Sequence, residues 1–196
     1  MTSSKTKAKL VDVARQLFAK TGLENTTMND IALASGKGRR TLYTYFKSKE
    51  EIYLAVIESE LDILSDVQQK VAEKKISPEQ KLMEMIYAHL DAVKEVVFRN
   101  GTLRADFFRD IWQVETVRKR FVAKERLLIR DILAEGVEKG VFDVDDIYMT
   151  AEIVHYSVKG IETPYIRGQI GAHLKDSEKE EYVSKLVLRA LGKQFQ

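Results

Sequence analysis

Arg39, Arg40, Tyr43, Tyr45, Lys47 and Lys49 lie in one short stretch, SGKGRRTLYTYFKSKEE (residues 35–51). Interleaved cations and aromatic rings suit a polyanion that also offers hydrogen-bonding edges. An arginine can pair bidentately with guanine O6 and N7, which makes Arg39 and Arg40 the foremost candidates for reading bases. The plainer reading is that Tyr43 and Tyr45 are partly core and that Lys47 and Lys49 are solvated.

The charge distribution favours the first reading. Net charge is only +2, but residues 1–50 hold ten Lys/Arg against four acids, a net of +6, and the remainder carries −4. A basic head on a mildly acidic body is expected of a polyanion-binding module joined to something else.

Other chemistries find less support. The chain has no cysteine, which excludes disulfides, thiolate metal sites and a cysteine nucleophile and fits a reducing cytoplasm. Glu152 and His155 make one E-x-x-H step, whereas di-iron bundles need two such pairs and two further glutamates. His89 and His173 lack that context and read as satisfied core or surface residues. There is no G-x-S-x-G, H-E-x-x-H or phosphate-binding glycine loop. No enzyme activity, cofactor or metal is expected. No apolar run approaches a membrane span, and the N-terminus lacks a secretory h-region, so the protein is expected in the cytoplasm with no membrane partner.

The elements that must position the cationic stretch are helices throughout. The pattern predicts about nine, over 4–21, 28–35, 39–46, 49–74, 78–98, 102–111, 114–138, 144–162 and 178–194. Leu10, Ala14, Leu17 and Phe18 make the first amphipathic; the basic leader Ser3–Lys9 is expected to fray, with a minor-groove arm as the alternative. Capping boxes are read at SPEQ (77–80), SKEE (48–51), SEKE (177–180) and, more weakly, TMND (27–30). Thr163–Pro164 is expected to end or kink a helix. Two short helices joined by a glycine turn, the second loaded with cations, suit a helix-turn-helix. Ile31, Ala32, Leu33, Leu42 and Phe46 are its expected inner packing, with Ala34 near the turn. The fold is therefore read as all-α, with a three-helix head (1–48) joined by a long helix to a helical body (49–196).

TTMNDIALASGKGRRTLYTYFKSKEEIYLAVIE resembles the DNA-binding segment of the tetracycline-repressor (TetR) family of bacterial transcription regulators. Thr27, Ile31, Ala32, Gly36, Thr41-Leu42-Tyr43, Tyr45-Phe46, Lys47 and Lys49-Glu50-Glu51 carry the likeness, with Ala14, Phe18 and Gly22 in the first helix. The close match covers about residues 8–58. Beyond it only length, helical content and the turn EGVEKGVFDVDD agree. The chain departs at Lys37, usually apolar, at Gly38, usually serine, and at Arg40, often glycine. The resemblance implies that Thr41 and Tyr43 contact phosphates and base edges, that Tyr45 is a second contact, and that Lys49 clamps a phosphate at a helix start. Thr27 is expected to cap its helix and touch phosphate, and Asn29 to reach a base.

For the body, the resemblance implies an effector pocket, with Tyr87, Phe108 and Trp112 as candidate ligand contacts and Met83, Phe107 and Phe121 as further walls; aromatics at this spacing are usually plain core. It also implies a homodimer. Stripes over 144–162 and 178–194 offer Val154, Val158, Ile161, Val183, Leu186, Val187, Ala190 and Leu191 as the interface. The function implied is a ligand-responsive transcription regulator, a repressor by family default. As a dimer it would bind a palindromic double-stranded DNA operator and be released by a small, mostly apolar effector. The rival is a TetR-like nucleoid-associated or division-control protein with no small-molecule inducer.

Overall fold

The computed structural model describes residues 2–99 and 112–192. Side chains are described from residue 5 in the first segment and from 116 in the second, apart from 176 and 177. Among these residues the protein is all-α, with eight helices: α1 Thr2–Thr21, α2 Met28–Ser35, α3 Arg39–Tyr45, α4 Lys49–Ala72, α5 Pro78–Arg99, α6 Trp112–Glu138, α7 Ile147–Ile166 and α8 Asp176–Ala190. The short helix expected near 102–111, Phe107, Phe108 and the Trp112 side chain lie outside the described residues.

Most helix ends follow from local capping. Ser77 Oγ accepts the Gln80 N–H (3.3 Å) while Gln80 Oε1 accepts the Ser77 N–H (3.2 Å), so Pro78 opens α5 where its missing N–H costs nothing. Ser48 Oγ accepts the Glu51 N–H (3.2 Å), but Glu51 reaches back one residue further than expected, to the Lys47 N–H (2.6 Å).

Four expectations need correction. The basic leader is helical from Thr2, because Lys and Ala favour helix and no glycine or proline interrupts them. Lys7 Nζ also sits 5.7 Å from the centre of the Phe46 ring. α7 begins at Ile147 rather than 144, where Asp146 accepts the Tyr148 and Met149 N–H groups (2.9 and 3.0 Å). It then runs through Pro164 to Ile166; so near the C-terminus the proline removes a single helical bond, and Arg167 N–H to Thr163 O (3.1 Å) closes the end. α8 starts at Asp176, two residues before the expected serine start, with the Lys175 N–H on Glu178 Oε2 (2.8 Å).

The packing divides the chain into two compact units, Met1–Ile63 with Glu95–Phe121 and Leu64–Lys94 with Val122–Gln196. In the first, Leu10, Ala14 and Phe18 of α1 are buried with Ile31, Leu42, Phe46 and Ile52, and Phe18 meets Tyr53 edge-on (6.2 Å, 70°). In the second, Leu82, Ile86 and Leu90 of α5 pack with Ile129 and Leu133 of α6, Ala151 and Val158 of α7, Leu188 of α8 and Leu191 just beyond it. Gly136 is required by close approach: a Cβ there would lie 2.0 Å from the Phe142 ring. Among the described residues no helix is long and apolar enough to cross a membrane.

Candidate functional site

The helix-turn-helix is held by a short set of local bonds. Thr27 Oγ1 accepts the Asp30 N–H (3.2 Å), and the Asp30 carboxylate accepts both the Thr27 hydroxyl (2.6 Å) and its N–H (2.9 Å). The hydroxyl bond first, then the backbone bond, hold Asp30 below the usual carboxylate range. α2 stops at Gly36, whose φ of 65° lies in the left-handed region. There the Gly36 and Lys37 N–H groups return to Leu33 O and Ala32 O (both 3.0 Å). A Cβ at Gly36 would meet nothing within 4 Å, so torsion, not crowding, demands glycine.

Inside the motif Ile31, Ala32, Leu42 and Phe46 are buried as expected, but Leu33 is 72% exposed and Ala34 also faces out. Ser35 takes the inner place, its hydroxyl donating to Ala32 O (2.9 Å). The 3.6-residue turn explains the exchange: 31, 32 and 35 share a face that 33 and 34 do not.

Burying Leu42 and Phe46 turns the rest of α3 outward. Arg39 and Arg40 are exposed, Tyr43 is 44% exposed, and Thr41 and Tyr45 are half-buried. The Arg39 guanidinium lies 5.9 Å from the centre of the Tyr43 ring, a cation–π contact that orients both side chains. Thr27 and Asn29 are exposed at the start of α2. Tyr45 lines a cavity of about 800 Å³ within the first unit, with Lys7, Arg15, Glu60 and Arg99 among its other walls. Lys49 has a structural engagement that the sequence did not show: its ammonium donates to Leu23 O (2.7 Å), tying the α1–α2 connection to α4. The first turn of α4 also carries Glu50 and Glu51.

The body holds a polar network absent from the sequence-based candidates. Gln68 of α4, His89 of α5, Glu125 of α6 and His155 of α7 are all buried, with Glu162 of α7 at the edge. His89 Nδ1 lies 2.5 Å from Glu125 Oε1 and Nε2 lies 2.9 Å from Glu162 Oε1. Gln68 Nε2 donates to Glu125 Oε1, and His155 Nδ1 lies 2.6 Å from Glu125 Oε2. Burial opposes charge on His89, but its bonds to Glu125 and Glu162 and their charges outweigh it and lift the ring to about 9. Burial likewise opposes charge on Glu125, yet the bonds from His155 and His89 hold it at about 2. Among the described residues no group of three or more metal-ligating side chains is placed to hold a metal.

His89 is a satisfied core histidine, as the sequence suggested, with Glu125 and Glu162 as its partners, and the E-x-x-H step divides: His155 turns to Glu125 while Glu152 pairs with Arg126. A signal existed. Gln68 falls between Leu64 and Val71, and His89 between Met85, Ile86 and Val93, each a polar residue in a buried apolar register. Tyr87 is half-buried, and among the described residues its hydroxyl has no hydrogen-bond partner; burial, then Glu180 and Asp91, push it up to about 12. Met83 is core and Phe121 half-buried.

Of the candidate interface residues, Val158 and Leu191 belong to the chain's own core, and Val154, Ile161, Val183 and Val187 pack against it. Leu186 (71%) and Ala190 are exposed. The outward apolar stripes are instead Met149, Ile153 and Tyr156 on α7, and Tyr182 (72%) with Leu186 on α8.

Comparison with known proteins agrees with this geometry. Residues 10–56 match the family described as bacterial regulatory proteins, tetR family. The HTH-type transcriptional repressor KstR2 of Mycolicibacterium smegmatis is 33% identical over 148 residues, covering 71% of this chain and 70% of that protein. The HTH-type transcriptional regulator QacR of Staphylococcus aureus is 24% identical over 190 residues, covering 95% and 98%. A crystal structure of a TetR/AcrR-family transcriptional regulator from Thermobifida fusca superposes with a TM-score of 0.72 at 21% identity, covering 93% and 96%. These relatives are DNA-binding regulators rather than enzymes, and they support a ligand-responsive regulator over a division-control protein. The chain belongs to the TetR family of bacterial regulatory proteins and is a ligand-responsive, DNA-binding transcription regulator.

Proposed function

We propose that the protein is a repressor that grips a palindromic operator as a homodimer and lets go when a small, mostly apolar effector enters its body. The exposed Arg39–Arg40–Tyr43 face of α3 carries this reading, since the burial of Leu42 and Phe46 leaves those side chains nothing else to do. Arg40, with no charged partner among the described residues, is the leading base reader, and Arg39 with Tyr43 forms a second contact. Thr27, Asn29 and Thr41 flank it for phosphate and edge contacts. Tyr45 and Lys49 serve more as braces, given the cavity wall and the Leu23 bond. On this reading residues 1–48 bind DNA, residues 49–196 sense and dimerise, and the protein works on the chromosome in the cytoplasm.

The dimer is proposed to form through Met149, Ile153 and Tyr156 of α7 and Tyr182, Leu186 and Ala190 of α8. Steps of three and four keep each set on one face. A two-fold pair of heads is what a palindrome requires, with recognition helices about 34–36 Å apart or a multiple of that. Light scattering tests it: Leu186→Glu should give monomers that bind operator weakly while remaining folded. A dimer of undiminished stability in that variant would remove α8 from the interface.

A further inference from the structure

We propose that Thr44 is a further specificity-determining residue of α3, and that it reads a thymine through the C5-methyl group, beside the base that Arg40 reads. This rests on the reading that the outward face of α3 enters the major groove.

Placement on the helix comes first. Successive residues of an α-helix turn by about 100°. Leu42 is fully buried and marks the inward direction. Arg39 then lies about 60° from it and Tyr43 about 100°, whereas Arg40 and Thr44 lie about 160° away, one on either side. Both are exposed. The two residues that point most directly away from Leu42 are thus one turn apart, and only one of them is charged.

The hydroxyl of Thr44 is turned inward. Its Oγ1 donates to Arg40 O (2.9 Å), one turn back along the helix. That hydrogen is engaged within the helix, and the Cγ2 methyl is what the side chain presents outward. Of the four bases only thymine carries a methyl group in the major groove, and a threonine methyl is among the apolar groups that match it. A helix about 10–12 Å across nearly fills a groove about 12 Å wide, so even a short side chain aimed at the floor comes within reach of a base edge. One helical turn advances about 5.4 Å and one base step about 3.4 Å, so the thymine should lie within about two base pairs of the base that Arg40 reads.

The test uses the full-length protein and the duplex that it enriches from a random pool. Each thymine of a half-site is replaced in turn by uracil, which lacks only the methyl group, at the matching positions of both halves. A buried methyl is worth a factor of about three to five, so at one position the paired change should weaken wild-type binding about tenfold or more. Thr44→Ser keeps the hydroxyl and drops the methyl, and should bind the thymine and uracil duplexes within about twofold of each other. Thr44→Val keeps a methyl and drops the hydroxyl, and should retain most of the wild-type sensitivity. The absence of any uracil-sensitive position in wild type, or a sensitivity that persists in Thr44→Ser, would overturn the assignment of Thr44. If Arg40→Ala still loses discrimination in that case, the reading of α3 survives. A pool that enriches no sequence, or an enrichment unchanged in Arg39→Ala/Arg40→Ala, would refute that reading and this proposal with it.

Discussion

The outward face of α3 and the polar network of the body spend their charges in opposite ways. Arg39, Arg40 and Tyr43 project into solvent from a helix fixed by Leu42 and Phe46, and among the described residues only the mutual contact of Arg39 and Tyr43 restrains them. His89 and Glu125 are buried and paired with each other and with side chains from α4 and α7. Exposed, underused cations are available to a partner and cost little to remove. Buried, paired charges hold helices in register, so removing one leaves its partner uncompensated. On the proposed reading, the head is built to be read from outside and the body to respond from within.

The largest expected effect breaks the inner side of that contrast. Glu125→Leu leaves the His89 cation without its closest partner and should destabilise the protein by about 3–5 kcal/mol, measured by urea denaturation. A loss below about 1 kcal/mol would show that the network does not hold the helices.

On the outer side, Arg40→Ala should cost about 1–3 kcal/mol of discrimination between operator and non-operator DNA. Its urea midpoint should stay within about 0.5 kcal/mol of wild type, as for an ordinary surface substitution. Anisotropy titrations on the two DNAs separate these quantities. Lys49→Ala should reverse the pattern, weakening the fold through the lost Leu23 bond with little change in the salt slope of DNA binding. A slope reduced by about one unit would restore Lys49 as a phosphate clamp.

The pH dependence sharpens the comparison further. His89 is raised from 6.5 to about 9, so its stabilisation is complete below pH 6.5 and lost as pH climbs through about 9. Glu125 is lowered from 4.5 to about 2, so its stabilisation is complete above pH 4.5 and lost as pH falls towards about 2. The network's contribution should therefore be greatest between about pH 4.5 and 6.5. His89→Gln should flatten the alkaline limb of the stability profile, while Arg40→Ala should leave the profile's shape untouched. An alkaline limb unchanged in His89→Gln would assign it to another group.

The same contrast governs what the sequence revealed. The head was legible because its signals are local: Thr27 caps three residues ahead, Gly36 turns the chain, and Leu42 with Phe46 sits at helical spacing. Leu33 was misplaced because an apolar residue in a short helix can fall on either face, and Ser35 could satisfy its hydroxyl on Ala32. The network was missed because its members are far apart in sequence, and only tertiary packing brings Gln68, His89, Glu125 and His155 together. The stripes of α7 and α8 were visible, but periodicity alone cannot say which apolar side serves the chain's own core. Val158 and Leu191 face inward, whereas Tyr156 and Tyr182, outside the expected interface set, face solvent.

The central claim is that α3 reads DNA through its exposed cationic face. Selection of bound sequences from a random duplex pool, followed by footprinting of the recovered site, tests it most directly. Wild type should select a palindrome and protect two half-sites, and Arg39→Ala/Arg40→Ala should lose that protection while unfolding at the same urea concentration as wild type. A double variant that still protects the full palindrome at unchanged protein concentration would contradict the account.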